Sequence, residues 1–243
     1  MYKIQVIDTK KSKIPQIKAA KDGILLKAPF SLLVNGKTGS GKSMAILNLI
    51  SQPWGYKNYF DKIIVFSPTA GICDDLWDGI VSEDNIINNP QPEFIDMIFD
   101  SQKKQLKQKK HIHLIDKVLI IFDDCQGVSK HFDKELTKIF VKNRHFNISC
   151  VWMGQSYKRS LPRAARLQAS GVMLCPASNS ETQNFIEEYA PPNMSKKQFQ
   201  QLIDYCLSDP YNFLFINTQV PFNSRYRKNF DEILFLNKKK SPD

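Results

Sequence analysis

The sequence has few of the features that place a protein in a membrane or export it. None of the apolar runs in its 243 residues approaches the length of about 20 needed to span a bilayer. The N-terminal stretch MYKIQVIDTKKSK lacks the apolar segment of a secretory signal peptide. No internal repeat is visible. These absences favour a protein that is made and used in the cytosol and has no membrane partner.

Paired cysteines and clustered histidines are also missing. The five cysteines are widely spaced and form no C-x-x-C motif, and the four histidines lack the spacing of metal ligands. Disulfide frameworks and structural zinc sites need such spacings. We therefore expect buried free thiols in a reducing compartment and no structural zinc.

Acidic residues are too few to balance the basic ones. The chain has 34 Lys and Arg against 24 Asp and Glu, which gives a formal net charge of +10. Such an excess favours a nucleic-acid partner, although a basic surface can also serve solubility alone. One basic cluster directly follows a predicted strand and is the candidate DNA-contacting group. Its members are Lys158, Arg159, Arg163 and Arg166.

Continuous apolar runs alternate with helical patterns along most of the chain. Because such runs suit strands buried on both faces, they predict an α/β fold with a mostly parallel sheet and helices on both faces. The expected division is a basic N-terminal arm at 1–27, one domain at 28–220 and a basic C-terminal tail at 221–243. The predicted strands are 30–35, 61–68, 117–124, 147–154, 170–176 and 211–218, and the predicted helices are 42–50, 101–110, 129–143, 179–190 and 194–207.

The stretch GKTGSGKS, residues 36–43, fits the G-x-x-x-x-G-K-[ST] motif of phosphate-binding loops. Its glycines let backbone N–H groups turn toward phosphate oxygens, and the helix that follows directs its positive end to the same point. Lys42 is expected to reach the β and γ phosphates of ATP, and the Ser43 hydroxyl to ligate Mg²⁺. The predicted nucleotide-binding residues are Gly36, Lys37, Thr38, Gly39, Ser40, Gly41, Lys42, Ser43 and Met44.

Two adjacent acids end the most apolar predicted strand, KVLIIFDD (117–124). Asp123 suits the Mg²⁺ shell of a phosphate-binding loop, and Asp124 suits the base that polarises the attacking water. The stretch DCQG (124–127) also fits the D-x-x-G of GTP switches, but the sequence has no NKxD-type motif for guanine. The double acid therefore favours ATP hydrolysis.

Two further polar residues flank the predicted strand at 147–154. Gln155 ends it and can face the γ phosphate, where a neutral amide senses the phosphate or positions water. Arg144 precedes it and could reach an ATP held by a neighbouring subunit, where it would stabilise the transferring phosphoryl group. An ordinary loop glutamine and a surface arginine are the alternatives.

The chain resembles a known family in several motifs taken together. GKTGSGKS, IIVFSPT (63–69), LIIFDD (119–124), NRHFNIS (143–149) and GQS (154–156) are similar to the motifs of viral DNA-packaging ATPases of the FtsK–HerA superfamily. The poxvirus-type packaging ATPases of large DNA viruses and virophages are the closest in pattern. The resemblance covers residues 28–190, and the pair formed by NRH before a strand and Gln after it is its most specific part.

The resemblance implies a P-loop NTPase with an ASCE-type, RecA-like core, in which the acid-bearing strand lies between other strands. Members form hexameric or pentameric rings that move double-stranded DNA into a preformed capsid. It therefore implies ATP and Mg²⁺ as cofactors, capsid vertex proteins as partners, and a location in the host cytoplasm, the viral factory or the virion. By motif, Lys42, Asp123, Asp124, Arg144 and Gln155 are the catalytic residues, and Asp124 stands where relatives often carry Glu.

Other functions stay open at this point. A nucleic-acid-dependent ATP switch or helicase-like accessory would share the ATP site but would not translocate duplex DNA. A nucleotide kinase would work as a monomer and ignore DNA, and the segment 158–166 could serve as its arginine-rich lid. A non-enzymatic role for the basic surface fits poorly, because both halves of an ATP site are present.

Overall fold

The computed structural model describes residues 14–70, 76–125, 129–156, 158 and 161–234, with the backbone alone at 129–132. The strands are β1 Ser31–Asn35, β2 Lys62–Phe66, β3 Ile86–Ile87, β4 Val118–Asp123, β5 Ile148–Gly154, β6 Gly171–Leu174, β7 Leu214–Asn217, β8 Tyr226–Lys228 and β9 Glu232–Ile233. The α-helices are α1 Lys18–Lys21, α2 Lys42–Ser51, α3 Pro92–Lys109, α4 Ser129–Lys142, α5 Arg163–Leu167, α6 Asn179–Tyr189 and α7 Lys196–Cys206.

Within the part of the chain that the structure describes, the strands form a nine-stranded sheet in the order β3-β2-β4-β5-β1-β6-β7-β8-β9. The first six strands in this order are parallel to their neighbours, and β7, β8 and β9 continue the sheet in antiparallel pairs. The predicted mostly parallel α/β sheet is therefore confirmed. Because β5 lies between β1 and β4, the strand that ends in the acids is separated from the strand before the glycine loop, as the resemblance implies.

Helices cover both faces of the sheet, because alternate residues of the buried strands face opposite sides. On one face, Ile46 and Leu49 of α2 share a buried cluster with Leu32 and Val34 of β1. On the other face, helices α3, α4, α6 and α7 share a second cluster with Leu33. The sheet therefore has an apolar core on each of its two faces.

The sheet and its core extend beyond the predicted domain limits of 28 and 220. Strands β8 and β9 lie in the segment predicted as a C-terminal tail, and Leu25 and Leu26 of the predicted N-terminal arm are buried. Helix α3 also begins earlier than the charged run 101–110 suggests. Pro92 occupies its first turn, where a missing N–H costs nothing, and Ile95 and Phe99 are buried beneath it.

Four cysteines are free and buried, as predicted, and Cys73 lies outside the described residues. Burial raises the pKa of the Cys175 and Cys206 thiols to about 12, so both stay protonated at neutral pH. Neutral buried thiols are poor nucleophiles and poor metal ligands. The four described cysteines therefore belong to the core.

Candidate nucleotide-binding site

The loop 36–43 connects the end of β1 to the start of α2. Gly39 and Gly41 have φ angles of 73° and 86°, which a residue with a Cβ seldom adopts. Gly41 is also the residue that precedes the first turn of α2. The left-handed turns bring the chain around so that the N-terminus of the helix meets the end of the strand. This geometry suits the binding of a phosphate group.

Gly36 is required for a different reason, which is the closeness of the neighbouring strands. A Cβ placed on Gly36 would lie 2.7 Å from the Cβ of Cys175, which follows β6. The backbone N–H of Gly36 donates to the carbonyl of Gly154 at 3.1 Å, and that of Lys37 donates to the carbonyl of Pro176 at 2.8 Å. The base of the loop is therefore fixed to the strands on both sides of β1.

Lys42 directs its ammonium group back over the loop. Its Nζ donates to the carbonyls of Gly36 and Lys37, both at 2.9 Å. Burial lowers the pKa of Lys42 from its ordinary value, while nearby carboxylates, including that of Asp123, oppose the shift. The ammonium thus lies at the mouth of the loop, where a predicted phosphate ligand would approach.

Asp123 joins the loop to the acid-bearing strand. Its Oδ1 accepts a hydrogen bond from the Ser43 hydroxyl at 3.1 Å, and its Oδ2 accepts one from the indole N–H of Trp77 at 3.2 Å. Only 5% of Asp123 is exposed. A hydroxyl and a carboxylate that converge in this way are oxygen ligands of the kind that Mg²⁺ accepts. These residues therefore fit a magnesium ion.

Asp124 and Gln155 lie at the same edge of the sheet as the loop. Asp123 pairs with the residue before Gly154, and Gly154 pairs with Asn35, so β4, β5 and β1 end side by side. Asp124 has a φ of 51°, a conformation that aspartate tolerates better than most residues. Its side chain and that of Gln155 are exposed. The structure thus places both predicted residues at the edge of the sheet where the phosphate-binding loop lies, which we call the nucleotide edge.

Arg144 lies at the opposite edge of the sheet. It belongs to a short 3₁₀ turn, Asn143–His145, that precedes β5. Asn143 fixes this turn by donating from Nδ2 to the carbonyl of Phe30 at 3.2 Å and to the hydroxyl of Ser31 at 3.0 Å. The seven residues of β5 separate Arg144 from its own loop by roughly 20 Å. Arg144 therefore lies too far from its own loop to contact a nucleotide bound there, and its side chain is exposed.

Two members of the predicted DNA-contacting cluster are paired with acids of α6. Lys158 contacts Glu187 at 3.1 Å, and Arg166 contacts Glu188 at 3.3 Å. The exposed fractions of the Arg166 and Glu188 side chains are 10% and 20%, so that pair is largely shielded from water. These two cations are less available to DNA than the sequence suggests.

The other two members differ in what the structure says of them. Arg163 is exposed at the start of α5, where its guanidinium can meet a phosphate backbone. Arg159 lies outside the described residues. DNA contact by the cluster stays a prediction.

Sequence reasoning missed two features of the site. Trp77 follows a stretch without helical or strand periodicity, and no motif marks it as a partner of Asp123. A cavity of about 910 Å³ also opens beside the loop, between α2 and the antiparallel extension of the sheet. Its lining includes Gly41 and Met44 on one side and Tyr211 and Phe230 on the other. No local pattern connects residues so far apart in sequence, so only the fold reveals them.

The family of the chain follows from a comparison with family models. The model described as Poxvirus A32 protein matches residues 18–230. The chain belongs to the Poxvirus A32 protein family. Membership confirms the poxvirus-type packaging ATPases as the family predicted from the motifs and places the chain among the viral packaging ATPases. No curated protein matches the chain significantly.

Solved structures with the same fold include another viral protein. The genome packaging NTPase B204 of Sulfolobus turreted icosahedral virus 2, solved with ATP-gammaS, has a TM-score of 0.55 and 14% identity, over 84% of this chain and 98% of that chain. ATPases 2 and 3 of EssC from Geobacillus thermodenitrificans give a TM-score of 0.54 and 12% identity, over 88% of this chain and 41% of theirs. The pCW3 conjugation coupling protein TcpA has a TM-score of 0.55 and 11% identity, over 86% of this chain and 61% of that chain. These likenesses confirm the P-loop NTPase fold.

Proposed function

We propose that the chain is the motor ATPase that moves double-stranded viral DNA into a preformed capsid. The observation that supports this most directly is the 3.1 Å hydrogen bond between Ser43 and Asp123, which joins the phosphate-binding loop to the acid-bearing strand. Membership in the Poxvirus A32 protein family and the likeness to a genome packaging NTPase agree with it. The net charge of +10 suits a polyanionic substrate that is held by its phosphates and moved without regard to base sequence.

In this proposal the residues at the nucleotide edge divide the chemistry among them. The loop N–H groups and Lys42 bind the phosphates of ATP, and Ser43 and Asp123 hold Mg²⁺. When bound, the ion would neutralise the negative charge that develops on the phosphates during transfer. Asp124 accepts a proton from the attacking water, and Gln155 senses the γ phosphate. Because the chain runs directly from Gln155, at the end of β5, to the basic cluster that begins at Lys158, hydrolysis can change the position of DNA-contacting residues.

The proposed motor is a hexameric or pentameric ring in which Arg144 completes the site of the next subunit. Its placement at the edge away from its own loop supports a role in trans, since a head-to-tail ring brings opposite edges of neighbouring subunits together. Capsid vertex proteins are the proposed docking partners, in the host cytoplasm, the viral factory or the virion. No helix in the described part of the chain is long and apolar enough to span a bilayer.

Steady-state ATP hydrolysis tests the proposal. The purified chain is assayed with and without long double-stranded DNA at low and moderate salt, and Lys42→Ala serves as the blank. We expect Lys42-dependent hydrolysis that DNA stimulates, with a stimulation that weakens as salt rises because phosphate contacts release counterions. Hydrolysis that depends on Lys42 but ignores DNA at every salt concentration would contradict the motor and favour a nucleotide kinase.

A further inference from the structure

The cavity beside the phosphate-binding loop has a helical wall and a wall from the end of the chain. Met44 and Asn48 are spaced four residues apart, so they share one face of α2 and line the helical wall, and Gln52 continues this wall just past the end of the helix. Residues 211–213 and 229–231 form the opposite wall. Gly41 contributes to both the loop and the cavity. The cavity therefore begins where the phosphate-binding loop ends.

The lining combines aromatic surfaces with a few amide groups. The ring of Phe230 lies 4.9 Å from that of Phe213 and 5.8 Å from that of Trp54, measured between centroids. Amides on the wall are held in place, since Nδ2 of Asn229 donates to Oδ1 of Asn212 at 3.0 Å. Small-molecule sites in proteins have this composition, which is mostly apolar with a few placed polar groups. The cavity is therefore built like a ligand site.

Two aromatic side chains at the cavity are exposed to an extent that packing alone does not explain. Trp54 is 49% exposed and Tyr211 is 70% exposed. The ring of Tyr211 lies over Gly41, where a Cβ would be 3.1 Å from its Cδ1. An open aromatic face next to the phosphate-binding loop is suited to stacking on a flat ring.

We propose that this cavity receives the base and ribose of the nucleotide, an inference that rests on the proposed function. The wall runs from Met44 along α2 to Gln52 just past its end, a distance of about 12 Å at the helical rise per residue, which leaves room for a nucleoside that continues from phosphates held at Gly41. The aromatic rings stack on the base, and the amide of Asn48 lies within the same wall to contact its edge. The antiparallel extension of the sheet thereby becomes the part of the ATPase that recognises the base.

Binding of ATP and of inorganic tripolyphosphate, each with Mg²⁺, separates the nucleoside from the phosphates. Tripolyphosphate can occupy the loop but has nothing to place in the cavity. Asn48→Trp puts a large side chain into the middle of the cavity without changing the loop. We expect this variant to bind ATP at least about tenfold more weakly than the wild type, since the stacking contacts are lost. Its affinity for tripolyphosphate should be unchanged when both are measured by isothermal titration.

A second pair of variants tests the same surface without adding bulk. Met44→Ala removes an exposed side chain from the cavity while alanine preserves α2. Met97→Ala is the matched control, because Met97 is also an exposed helical methionine but lies on α3, on the other face of the sheet. We expect Met44→Ala to weaken ATP binding selectively and Met97→Ala to change neither ligand.

The outcomes distinguish this inference from the proposed function. Unchanged ATP affinity in folded Asn48→Trp and Met44→Ala overturns the cavity as the nucleoside site. Equal weakening of ATP and tripolyphosphate also overturns it, because the effect would then act through the loop. If the wild type binds tripolyphosphate and ATP equally, the nucleoside makes no contact and the inference fails while the phosphate site stands. If the wild type binds neither ligand, the proposed function fails first.

Discussion

Individual side chains decide how firmly the carboxylate proposed to bind Mg²⁺ is held. Asp123 is buried and accepts hydrogen bonds on both oxygens, from Ser43 and from Trp77. A buried carboxylate with charge-assisted hydrogen bonds keeps one orientation. Because Trp77 contacts the carboxylate rather than the predicted metal, its expected role is to position Asp123.

Trp77→Phe should raise the Mg²⁺ concentration needed for half-maximal ATP hydrolysis. The change removes the indole donor but keeps a large ring, and loss of such an orienting partner typically weakens metal affinity or activity about 10- to 100-fold. Titration of Mg²⁺ at saturating ATP gives the shift. Excess Mg²⁺ should restore most of the rate, which a merely misfolded variant would not allow.

Trp152 offers a matched control for this variant. It is as buried as Trp77, at 1% exposure, but its indole N–H has no hydrogen-bond partner among the described residues. Trp152→Phe should therefore leave the Mg²⁺ dependence unchanged. The positioning role of Trp77 is refuted if both variants shift the Mg²⁺ requirement equally.

The alkaline side of the pH profile should report Lys42. Burial lowers the pKa of its ammonium below the ordinary lysine value of 10.5, and only the protonated form attracts phosphate. The group therefore loses its proton at a lower pH than a free lysine, and kcat/KM for ATP, which reports the free enzyme, should decline below pH 10.5. A profile that stays flat to that pH would contradict this assignment. Stability is measured in parallel to exclude alkaline unfolding.

At the scale of helices and strands, a buried amide connects the short turn before β5 to the start of β1. Asn143 is 1% exposed and connects the turn to the start of β1 through two hydrogen bonds. The turn carries Arg144, so the orientation of that side chain depends on the amide. The hydrogen bonds of Asn143 therefore help to determine how Arg144 is presented to the neighbouring subunit in the proposed trans contact.

Asn143→Ala should lower both stability and DNA-stimulated hydrolysis. Removing the amide leaves the carbonyl of Phe30 and the hydroxyl of Ser31 without this donor, at a cost of about 1–3 kcal/mol in the free energy of unfolding. Arg144→Ala, in contrast, should reduce hydrolysis with little effect on stability, because its side chain is exposed. Denaturant melts and ATPase rates of the two variants check the distinction. Equal stability of the wild type and both variants would contradict this distinction.

The central strands could be predicted from the sequence because each buries both faces and is therefore a continuous apolar run. Strand β4 was expected at 117–124 and is found at Val118–Asp123. The loop 36–43 and the paired acids were predictable because their chemistry is local in sequence. The cavity and Trp77 were not, since they arise from contacts between distant segments. Strands β8 and β9 are too short, at three and two residues, for an alternating pattern to reveal them.

At the scale of the whole molecule, the predicted catalytic residues are divided between two opposite edges of the sheet. The loop, Asp123, Asp124 and Gln155 lie at one edge, and Arg144 lies at the other. A complete site with the proposed arginine therefore needs two subunits in a head-to-tail contact. A closed ring repeats this heterologous contact at every interface. Hydrolysis should then depend on protein concentration as well as on DNA.

Mixing two inactive variants tests this arrangement. Lys42→Ala lacks the phosphate-binding lysine but keeps Arg144, and Arg144→Ala has the opposite defect. In mixed rings, an Arg144→Ala subunit can lie next to a Lys42→Ala subunit. The interface between them then combines the intact loop of the first subunit with the arginine of the second. Random assembly of equal amounts makes such an interface at about a quarter of positions, so the mixture should regain up to about a quarter of the wild-type rate.

The measurement is DNA-stimulated hydrolysis of each variant alone and of the two after co-assembly. A double variant carrying both changes is the control, because mixing it with either single variant creates no intact interface. A mixture that forms rings yet stays as inactive as its components would show that Arg144 does not act in trans.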